Sequence, residues 1–275
     1  MSKLSISIVL YHDDKNNIKK TINSVLDSNI DLTLYLIDNS SNDNLKSLSE
    51  LDKRIVYIYN DNNMGYGSAH NIAIKTSIHN NSIYHLVLNP DVTFKSNILE
   101  ELSDYMDKNK DVGNIMPNVQ YLDGRQQYLC KLLPGPIQLI IRRFIFIKSI
   151  KDYINHKYEL KFFKYNKIAN IPSLSGCFMF TRLSALKKVG LFDENFFMYL
   201  EDVDLNRRIY EKYKTIFYPH QIIYHGYKKA SGGINKEFIA HIKSTVYYFN
   251  KWGWIIDDKR KKINNKTIKT LKNMI

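Results

Sequence analysis

Three carboxylates, Glu201, Asp202 and Asp204, lie within four consecutive residues, directly behind the apolar run at 196–200. Like charges so close to large apolar side chains cost free energy unless a cation, a metal ion or a substrate proton shares the site. In a chain whose net charge is +13, such a cluster favours proton transfer or cation binding. A structural interpretation stays open, because acidic residues in the first turn of a helix are stabilised by the helix dipole.

The elements that position this cluster follow from the alternation of apolar runs with amphipathic stretches. We predict strands at 5–10, 32–37, 55–59 and 83–88, with helices at 16–28, 45–51 and 68–77 between them. Strands that alternate with helices predict an α/β fold with a mostly parallel central sheet flanked by helices. Ligands of such sheets bind at the carboxyl ends of the strands.

The second half of the chain continues this pattern less regularly. We predict helices at 97–108, 183–189 and 238–249, a helix opened by the acidic cluster, and strands at 114–120, 173–181, 215–218 and 221–225. The organisation that follows is one domain over residues 1–250, interrupted by an insertion at 131–167, and a basic tail over residues 251–275.

Polar residues that could bind a ligand gather at the predicted strand ends. They lie in the loops at 11–14, 38–41, 60–67 and 89–91. Asp91 leaves the sheet after Pro90, which removes a backbone donor and stiffens the exit. A lone Asp after a strand is as typical of a turn as of a ligand site. The significance of Asp91 therefore depends on its neighbours, which include His225 after the last strand.

Taken in order, these motifs resemble those of the family-2 glycosyltransferases with the GT-A fold. The narrower resemblance is to the bacterial rhamnosyltransferase-like branch that builds O-antigen and related polysaccharides. The matching stretches are LIDNSS at 36–41, NMGYG at 63–67 with Asn71, LNPD at 88–91, SGCFM at 175–179, GLFDE at 190–194, residues 196–205, and His225. The resemblance implies the GT-A form of a Rossmann-like sheet, to which this chain adds a basic, apolar insertion and C-terminal helices.

The resemblance assigns a nucleotide-sugar to residues near the first strand ends. Asp38 would accept a hydrogen bond from the pyrimidine N3–H, since a carboxylate suits a ring N–H donor, and Tyr11 would lie near the base as a stacking surface. The loop that opens the third helix would line the nucleotide or diphosphate with backbone amides. The remaining nucleotide-sugar residues are Asn63, Gly65, Gly67, Asn71, Asn89 and Asp91.

The resemblance also implies a divalent metal ion. Asp91 corresponds to the metal-binding acid of the family's Asp-x-Asp element, whose first position is Asn89 here, and His225 corresponds to its later ligand. Mg²⁺ or Mn²⁺ would be held by one carboxylate, one imidazole and diphosphate oxygens, and the imidazole slightly favours Mn²⁺. The ion would neutralise the departing nucleoside diphosphate.

Asp202 matches the catalytic base of the family. It would take the proton of an acceptor hydroxyl as that oxygen attacks the anomeric carbon, which inverts the configuration in one displacement. Glu201 and Asp204 would hold the acceptor or a neighbouring cation. Arg208, one helical turn after Asp204, could pair with it and leave Asp202 free for the substrate.

The function implied is inverting transfer of a sugar from a nucleoside diphosphate donor to a growing, lipid-linked bacterial surface glycan. Deoxythymidine-diphosphate rhamnose (dTDP-rhamnose) is the first choice of donor. A uridine-diphosphate sugar carrying galactofuranose, glucose or an N-acetylhexosamine is the enzymatic alternative, because donor choice depends on pocket shape. An alternative of another class is a catalytically silent protein of the same fold that binds membranes or polyanions.

Positive charge is concentrated in two segments. Residues 131–167 carry nine Lys or Arg against two acids, and residues 251–275 carry eight against two. The first segment interleaves apolar residues with Arg142 and Arg143, which is typical of a surface on anionic lipid, of an apolar segment packed on the core, or of a homodimer contact. The second would be a frayed tail or a second electrostatic anchor. We do not expect a nucleic acid partner.

The composition favours a reducing compartment. The first residues lack the apolar core of a signal peptide, and no stretch approaches the roughly 18 apolar residues of a membrane span. The two cysteines, Cys130 and Cys177, have no paired metal-ligand spacing. We therefore expect the protein in the cytoplasm, with peripheral contact at the inner face of the cell membrane left open.

Overall fold

The computed structural model describes residues 2–140, 147–226 and 236–275. Within these ranges nine strands form one sheet. The strands are β1 (Leu4–Leu10), β2 (Leu32–Asp38), β3 (Ile55–Tyr59), β4 (Tyr84–Leu88), β5 (Val92–Phe94), β6 (Val112–Gln120), β7 (Ala169–Asn170), β8 (Phe178–Arg182) and β9 (Lys214–His225). The helices are α1 (Lys15–Leu26), α2 (Tyr66–His79), α3 (Ile98–Lys108), α4 (Pro136–Leu139), α5 (Lys148–Tyr158), α6 (Leu183–Val189), α7 (Glu201–Tyr210), α8 (Lys236–Trp252) and α9 (Asp258–Lys272), with 3₁₀ helices at Lys46–Leu51 and Lys161–Phe163.

The sheet has the strand order β3-β2-β1-β4-β8-β6-β9-β5, with β7 paired to β9. The first four strands in this order are parallel, as repeated βα units predict. β8 is antiparallel to both of its neighbours, and β9 is parallel to β6 but antiparallel to β5 and β7. The sheet is therefore mixed, and the expected parallel arrangement dominates only its first half.

The parallel strands are apolar along their whole length, as is typical of a sheet flanked by helices. All five residues of β4 are buried, and only one residue each of β1 and β2 is not. Asp14 caps α1 by accepting a hydrogen bond from the amide of Asn17. Leu10 at the end of β1 pairs with Asp38 at the end of β2. The loops after both strands therefore leave the sheet at one edge, where a ligand site is expected.

Two predicted strand regions differ from the observed ones. Residues 173–177, expected in a strand, form an irregular segment before β8. The strands predicted on either side of Pro219 are one strand, β9, whose register with β6 shifts between Tyr218 and Ile222. Proline has no N–H to donate to the ladder, so the shift falls where a hydrogen bond is already missing.

Residues 251–275 do not form a frayed tail. α9 buries Thr267 and Leu271, and Leu271 belongs to the main apolar core. Just before α9, Asp257 forms two hydrogen bonds of 2.7 and 2.8 Å with the buried guanidinium of Arg207 on α7. The fraying interpretation was wrong because an apolar contact and a paired charge hold this segment in place.

The insertion at 131–167 contributes to both the core and the surface. Its buried apolar residues include Leu132, Leu160 and Phe163. Its exposed apolar residues include Ile137, Ile147, Ile150 and Tyr153. Arg142 and Arg143, on which the lipid interpretation depended, lie outside the described residues. No helix in the described ranges combines the length and the apolar character needed to cross a bilayer.

Candidate active site

A cavity of about 960 Å³ opens at the carboxyl edge of the parallel strands, beside the N-terminus of α7. The predicted residues that line it are Asn89, Asp91, Glu201, Asp202 and His225. Residues that line it without an individual role having been predicted include Lys131 and Cys177, and also Asp13 and Tyr66 from the predicted ligand loops at 11–14 and 60–67. Its volume lies at the upper end of the roughly 300–1,000 Å³ typical of small-molecule sites. The cavity therefore has room for a sizeable ligand.

The sheet brings Asp91 and His225 together from distant parts of the chain. β5 pairs with the end of β9 so that Val92 lies opposite His225. The Oδ1 atom of Asp91 consequently lies 3.3 Å from Nε2 of His225. The amide of Gly226 donates to the Asp91 carbonyl at 2.9 Å and fixes the same approach. The two residues that the resemblance assigns to a metal ion thus face each other.

Gln127 determines which ring nitrogen of His225 carries the proton. The Gln127 amide nitrogen donates to the His225 carbonyl at 2.9 Å, so its oxygen Oε1 is the atom that faces Nδ1 at 3.0 Å. Nδ1 is therefore the donor, and Nε2 presents its lone pair on the side of Asp91. Asn89 directs an N–H towards the same Nε2 at 3.4 Å.

A carboxylate oxygen and an imidazole lone pair directed at one point suit a divalent cation. Asp91 and His225 therefore fit the metal ion that the motifs imply. The described ranges contain no group of three or more His, Cys, Asp or Glu side chains arranged to hold a metal. The other ligands of an ion held here would be substrate oxygens and water.

Asp202 lies in the first turn of α7, where two backbone amides hold its carboxylate. Gly176 and Val203 each donate an N–H to it at 2.8 Å. Burial raises the pKa of Asp202, and the Gly176 hydrogen bond and the Lys131 ammonium oppose that rise. A Cβ at Gly176 would lie only 3.1 Å from the Asp202 Cβ, so the glycine permits the close approach. Asp202 is thus a fixed, ionisable group on the cavity wall.

Glu201 is kept neutral at the same helix end. It is 6% exposed, and its Oε2 atom has no hydrogen-bond partner among the described residues. Burial, and then the charge of Asp202, raise the pKa of Glu201 to about 8. Tyr66 is nearby, since its own pKa is raised well above its usual value first by burial and then by Glu201. Neighbouring carboxyl groups in different protonation states can take different roles towards one substrate.

Asp204 does not line the cavity. It is fully buried, and its carboxylate accepts hydrogen bonds from Arg208 at 2.9 Å and from the Trp252 indole at 2.8 Å. The Lys251 ammonium lies 2.8 Å away. Two roles were expected of Asp204, contact with a cation or contact with the acceptor. Contact with cations is present. Contact with the acceptor has no support, because the Asp204 oxygens are used to join α7 to α8. The predicted Arg208 pairing leaves Asp202 free.

Asp38 and Tyr11 lie outside the cavity wall. Asp38 is fully buried, and its carboxylate accepts from the Tyr57 hydroxyl at 2.6 Å and from a backbone amide two residues on at 2.9 Å. Tyr11 is exposed. Asp13 connects this region with the metal pair, since burial raises its pKa and the charges of Asp91 and Asp38 add to the rise. Base contacts by Asp38 and Tyr11 stay predictions.

The glycine-rich loop packs against the chain that precedes α7. Gly65 has a φ of +89°, and a Cβ there would lie 2.3 Å from the carbonyl oxygen of Phe197. That oxygen accepts from the Tyr66 amide at 3.0 Å. Asn63 supports the turn by accepting from the Gly65 amide at 3.0 Å. The loop therefore positions Tyr66 at the cavity wall.

Gly67 and Asn71 face the same preceding chain and are absent from the cavity wall. A Cβ at Gly67 would lie 2.9 Å from the Phe192 Cβ. The Asn71 side chain accepts from the Phe192 amide, and donates to the Phe192 carbonyl and to Glu194. Direct nucleotide contact by these two residues has no support here, since their contacts hold the segment that leads into α7.

Sequence reasoning missed Lys131 and Tyr66 on the cavity wall, and Gln127, which contacts His225. Gln127 and Lys131 follow a turn in a stretch without strand or helix periodicity, so no pattern marked them. Tyr66 stood inside a matching motif of which only the flanking glycines were assigned. Its hydroxyl lies 3.0 Å from Asn89 Oδ1 and 2.9 Å from the Gly176 carbonyl. Its place between two assigned glycines was the available signal.

The sequence is similar to one family and to curated proteins. The model of the family "Glycosyl transferase family 2" matches residues 5–190. An uncharacterised glycosyltransferase of Methanocaldococcus jannaschii is 26% identical over 161 residues, which are 56% of this chain and 52% of the relative. An N-acetylglucosaminyl-diphospho-decaprenol L-rhamnosyltransferase of Mycobacterium tuberculosis is 35% identical over 77 residues, which are 27% of this chain and 25% of the relative. The chain thus spans about half of the first relative and a quarter of the second.

Two solved structures share the architecture. A crystal structure of GalNAc-T7 with UDP, GalNAc and Mn²⁺ has a TM-score of 0.67 at 15% identity, over 94% of this chain and 50% of that one. A crystal structure of S. aureus TarS has a TM-score of 0.56 at 15% identity, over 82% of this chain and 37% of that one. At such identity the likeness concerns the fold alone.

Proposed function

The chain belongs to glycosyl transferase family 2, and on that premise we propose that it moves a sugar from a nucleoside diphosphate to an acceptor hydroxyl, with inversion at the anomeric carbon. Its GT-A fold, expected from the motifs, is shared with the solved structures. The cavity beside α7 is the proposed place of reaction.

One observation supports this proposal above the others: Asp202 and the pair of Asp91 and His225 line one cavity. Buried Cys177 lies near both groups. Burial raises the pKa of its thiol to about 12, and the nearby charges of Asp91 and Asp202 add to the rise. Displacement at an anomeric carbon needs a base for the incoming hydroxyl and neutralisation of the leaving diphosphate. The cavity holds residues suited to both.

In the proposed reaction Asp202 accepts the proton of the acceptor hydroxyl. The acceptor oxygen bonds to the anomeric carbon while the bond from that carbon to the diphosphate oxygen breaks. The amides of Gly176 and Val203 keep the carboxylate oriented, so little reorganisation accompanies the proton transfer. Glu201, being neutral, does not compete for the proton and can donate a hydrogen bond to the acceptor.

The leaving diphosphate would bind at the other wall of the cavity. Asp91 and His225 would hold Mg²⁺ or Mn²⁺, which when bound neutralises charge on the diphosphate. Gln127 holds the His225 ring in the tautomer that such an ion requires. Asn89 and Tyr66 brace the same wall through the hydrogen bond of 3.0 Å between them.

The donor and the acceptor are the finer part of the proposal. Similarity to the mycobacterial N-acetylglucosaminyl-diphospho-decaprenol L-rhamnosyltransferase supports a rhamnose donor and a lipid-linked acceptor. We propose dTDP-rhamnose as that donor and the cytoplasmic face of the membrane as the place of transfer. A uridine-diphosphate sugar is the second candidate donor, since Asp38 would accept from the N3–H of either pyrimidine. A catalytically silent binding protein would not need a carboxylate held on the cavity wall by two backbone amides, as Asp202 is.

The deciding experiment measures hydrolysis and transfer across a panel of nucleotide-sugars, with and without a chelator. The parent chain should use one donor best, and Asp202→Asn should lower its turnover roughly 10²- to 10⁴-fold. Asp104→Asn, which alters an exposed acid on α3, is the matched control and should match the parent. Unchanged turnover in Asp202→Asn would overturn the base assignment. No transfer with any donor would favour the silent binding protein.

A further inference from the structure

An exposed apolar surface runs along α8 and into the turn that follows it. The ridge consists of Ile239, Ile242 and Val246, which share one side of α8 and are all exposed. The tip is the turn at 254–256, where Trp254 is exposed, Ile255 is 87% exposed and Ile256 is 84% exposed. Single exposed apolar residues are ordinary, but six on one helix and its adjoining turn indicate a contact surface.

The tip packs against the helix that carries the ridge. The Trp254 ring packs on the Phe249 ring with their centroids 5.0 Å apart. Phe249 lies on α8 three residues after Val246, and residues at this spacing are neighbours on a helix. The indole N–H of Trp254 is satisfied by Asn250 at 2.9 Å. The Trp254 side chain thus holds the tip against α8.

The tip is held in its exposed position by specific contacts. Gly253 has a φ of +97°, and a Cβ there would lie 2.4 Å from the Ile256 carbonyl oxygen. Arg260 donates from its guanidinium to the carbonyls of Gly253, Trp254 and Ile255 at 3.2 to 3.4 Å. The buried pair of Arg207 and Asp257 anchors the end of the turn. These contacts hold Ile255 and Ile256 in an exposed position.

The charge around this surface identifies its partner. Lys243 lies within the ridge, and Lys261 and Lys262 on the first turns of α9 follow the tip; all three are exposed. An aromatic ring and aliphatic side chains bordered by lysines match the interface of a bilayer that contains anionic lipid. A second copy of this chain, with its net charge of +13, would bring like charges together.

We propose that the ridge and tip seat this protein on an anionic lipid bilayer, with Trp254, Ile255 and Ile256 inserted at the level of the headgroups. The opposite side of α8 faces the active site, because His241 lines the cavity. Leu139 of α4 and Tyr199, which also line it, pack on the same apolar cluster as Tyr248 and Phe249 of α8. Seating α8 on the membrane would bring the cavity close to the bilayer.

The test is binding to vesicles, which requires neither donor nor turnover and so stands apart from the proposed function. Wild type is sedimented with vesicles of equal parts phosphatidylcholine and phosphatidylglycerol, and with phosphatidylcholine alone, at low and high salt. The double variant Ile255→Ser/Ile256→Ser should bind anionic vesicles roughly tenfold more weakly. The control, Leu51→Ser/Ile83→Ser, alters two exposed apolar residues elsewhere on the fold and should bind like wild type.

Fluorescence provides a second reading of the same contact. The emission of wild type should shift to shorter wavelength on anionic vesicles, and Trp254→Phe should abolish the shift. Trp252 should not respond, because its ring is stacked under the Arg207 guanidinium at 4.0 Å. All altered residues of the tip are exposed, and a thermal melt confirms that each variant is folded.

Three outcomes would overturn the proposal. The first is that wild type sediments with no vesicle, and the second is that the tip and control variants bind anionic vesicles equally. The third is that wild type binds no vesicle but forms a concentration-dependent dimer, and that the tip variant stays monomeric. That result would assign the surface to a second copy of the chain.

Discussion

The Nδ1 atom of His225 lies 3.0 Å from the Oε1 atom of Gln127. The Gln127 amide nitrogen is committed to the His225 carbonyl, so the oxygen has no alternative orientation that preserves both contacts. A side chain outside the cavity wall thus sets the tautomer of a candidate metal ligand. The candidate metal site therefore includes a residue beyond those that the motifs identify.

We expect Gln127→Leu to weaken Mn²⁺ binding roughly 10- to 100-fold, because the ring of His225 would lose the partner that fixes its tautomer and orientation. Calorimetric titration of Mn²⁺ in the presence of a nucleoside diphosphate measures the affinity directly. Gln126→Leu is the matched control, since Gln126 donates to the carbonyls of Val119 and Gln127 and not to the imidazole. Equal affinity in both variants would show that Gln127 has no role in metal binding.

Asp204→Asn should destabilise the fold without impairing the chemistry. The carboxylate faces Arg208 and Lys251 in a fully buried position, so its removal leaves charge unpaired and should lower the free energy of unfolding by about 3 kcal/mol. Chemical denaturation measures the loss. Turnover per folded molecule should stay within a few-fold of the parent, in contrast to Asp202→Asn, which should lose turnover with little change in stability. A large rise in the KM for the acceptor would instead restore Asp204 to the acceptor side.

Glu201→Gln should remove a pH dependence of stability. The pKa of Glu201 is about 8 in the folded chain against an ordinary value of 4.5, so between these values the folded chain keeps a proton that the unfolded chain has lost. Stability conferred by Glu201 is therefore complete below pH 4.5 and declines as pH rises towards 8, by up to roughly 1.4 kcal/mol per pH unit.

Urea denaturation at a series of pH values tests this expectation. The free energy of unfolding should fall less steeply with pH in Glu201→Gln than in the parent. Glu50→Gln, which alters an exposed glutamate in a 3₁₀ helix, should follow the parent curve. Parallel curves for all three proteins would mean that Glu201 is ionised in the folded state.

Gly65→Ala should be more destabilising than Gly124→Ala, although both glycines have a positive φ. Gly124 has nothing within 4 Å of its absent Cβ, so alanine there costs only the backbone strain, roughly 1–2 kcal/mol. At Gly65 the new Cβ would collide with the Phe197 carbonyl oxygen, which adds roughly 1–3 kcal/mol. The difference in unfolding free energy isolates the collision, and equal losses would show that the loop yields freely.

The parallel half of the fold was predictable because each βα unit carries its own local pattern. The strand predicted at 55–59 and the helix predicted at 183–189 match β3 and α6 residue for residue. The antiparallel position of β8 between β4 and β6 was not predictable, because the residues of a strand do not reveal which strand it pairs with. α9 was missed for a related reason: the contacts that bury Leu271 are made with distant parts of the chain.

The parts of the candidate site that lie within recognisable motifs were predictable. The pairing of Asp204 with Arg208 followed from helical spacing, and the approach of Asp91 to His225 followed from the resemblance. The contact between Gln127 and His225 spans 98 residues and joins an irregular stretch to a strand end, so no local pattern could reveal it. Pairings of this kind become visible only in three dimensions.

The ion pair of Arg207 and Asp257 has a consequence for the order of events during synthesis. The helix that carries Asp202 leaves the ribosome 50 residues before the carboxylate that neutralises its Arg207 guanidinium. Until residue 257 emerges, burying Arg207 would leave a charge without a counter-ion, at a cost of several kcal/mol. The strands of the sheet can assemble earlier, as N-terminal parts of a nascent chain generally do. The residue proposed as base is thus seated only after residue 257 has emerged, 50 residues behind its Arg207 neighbour on the same helix.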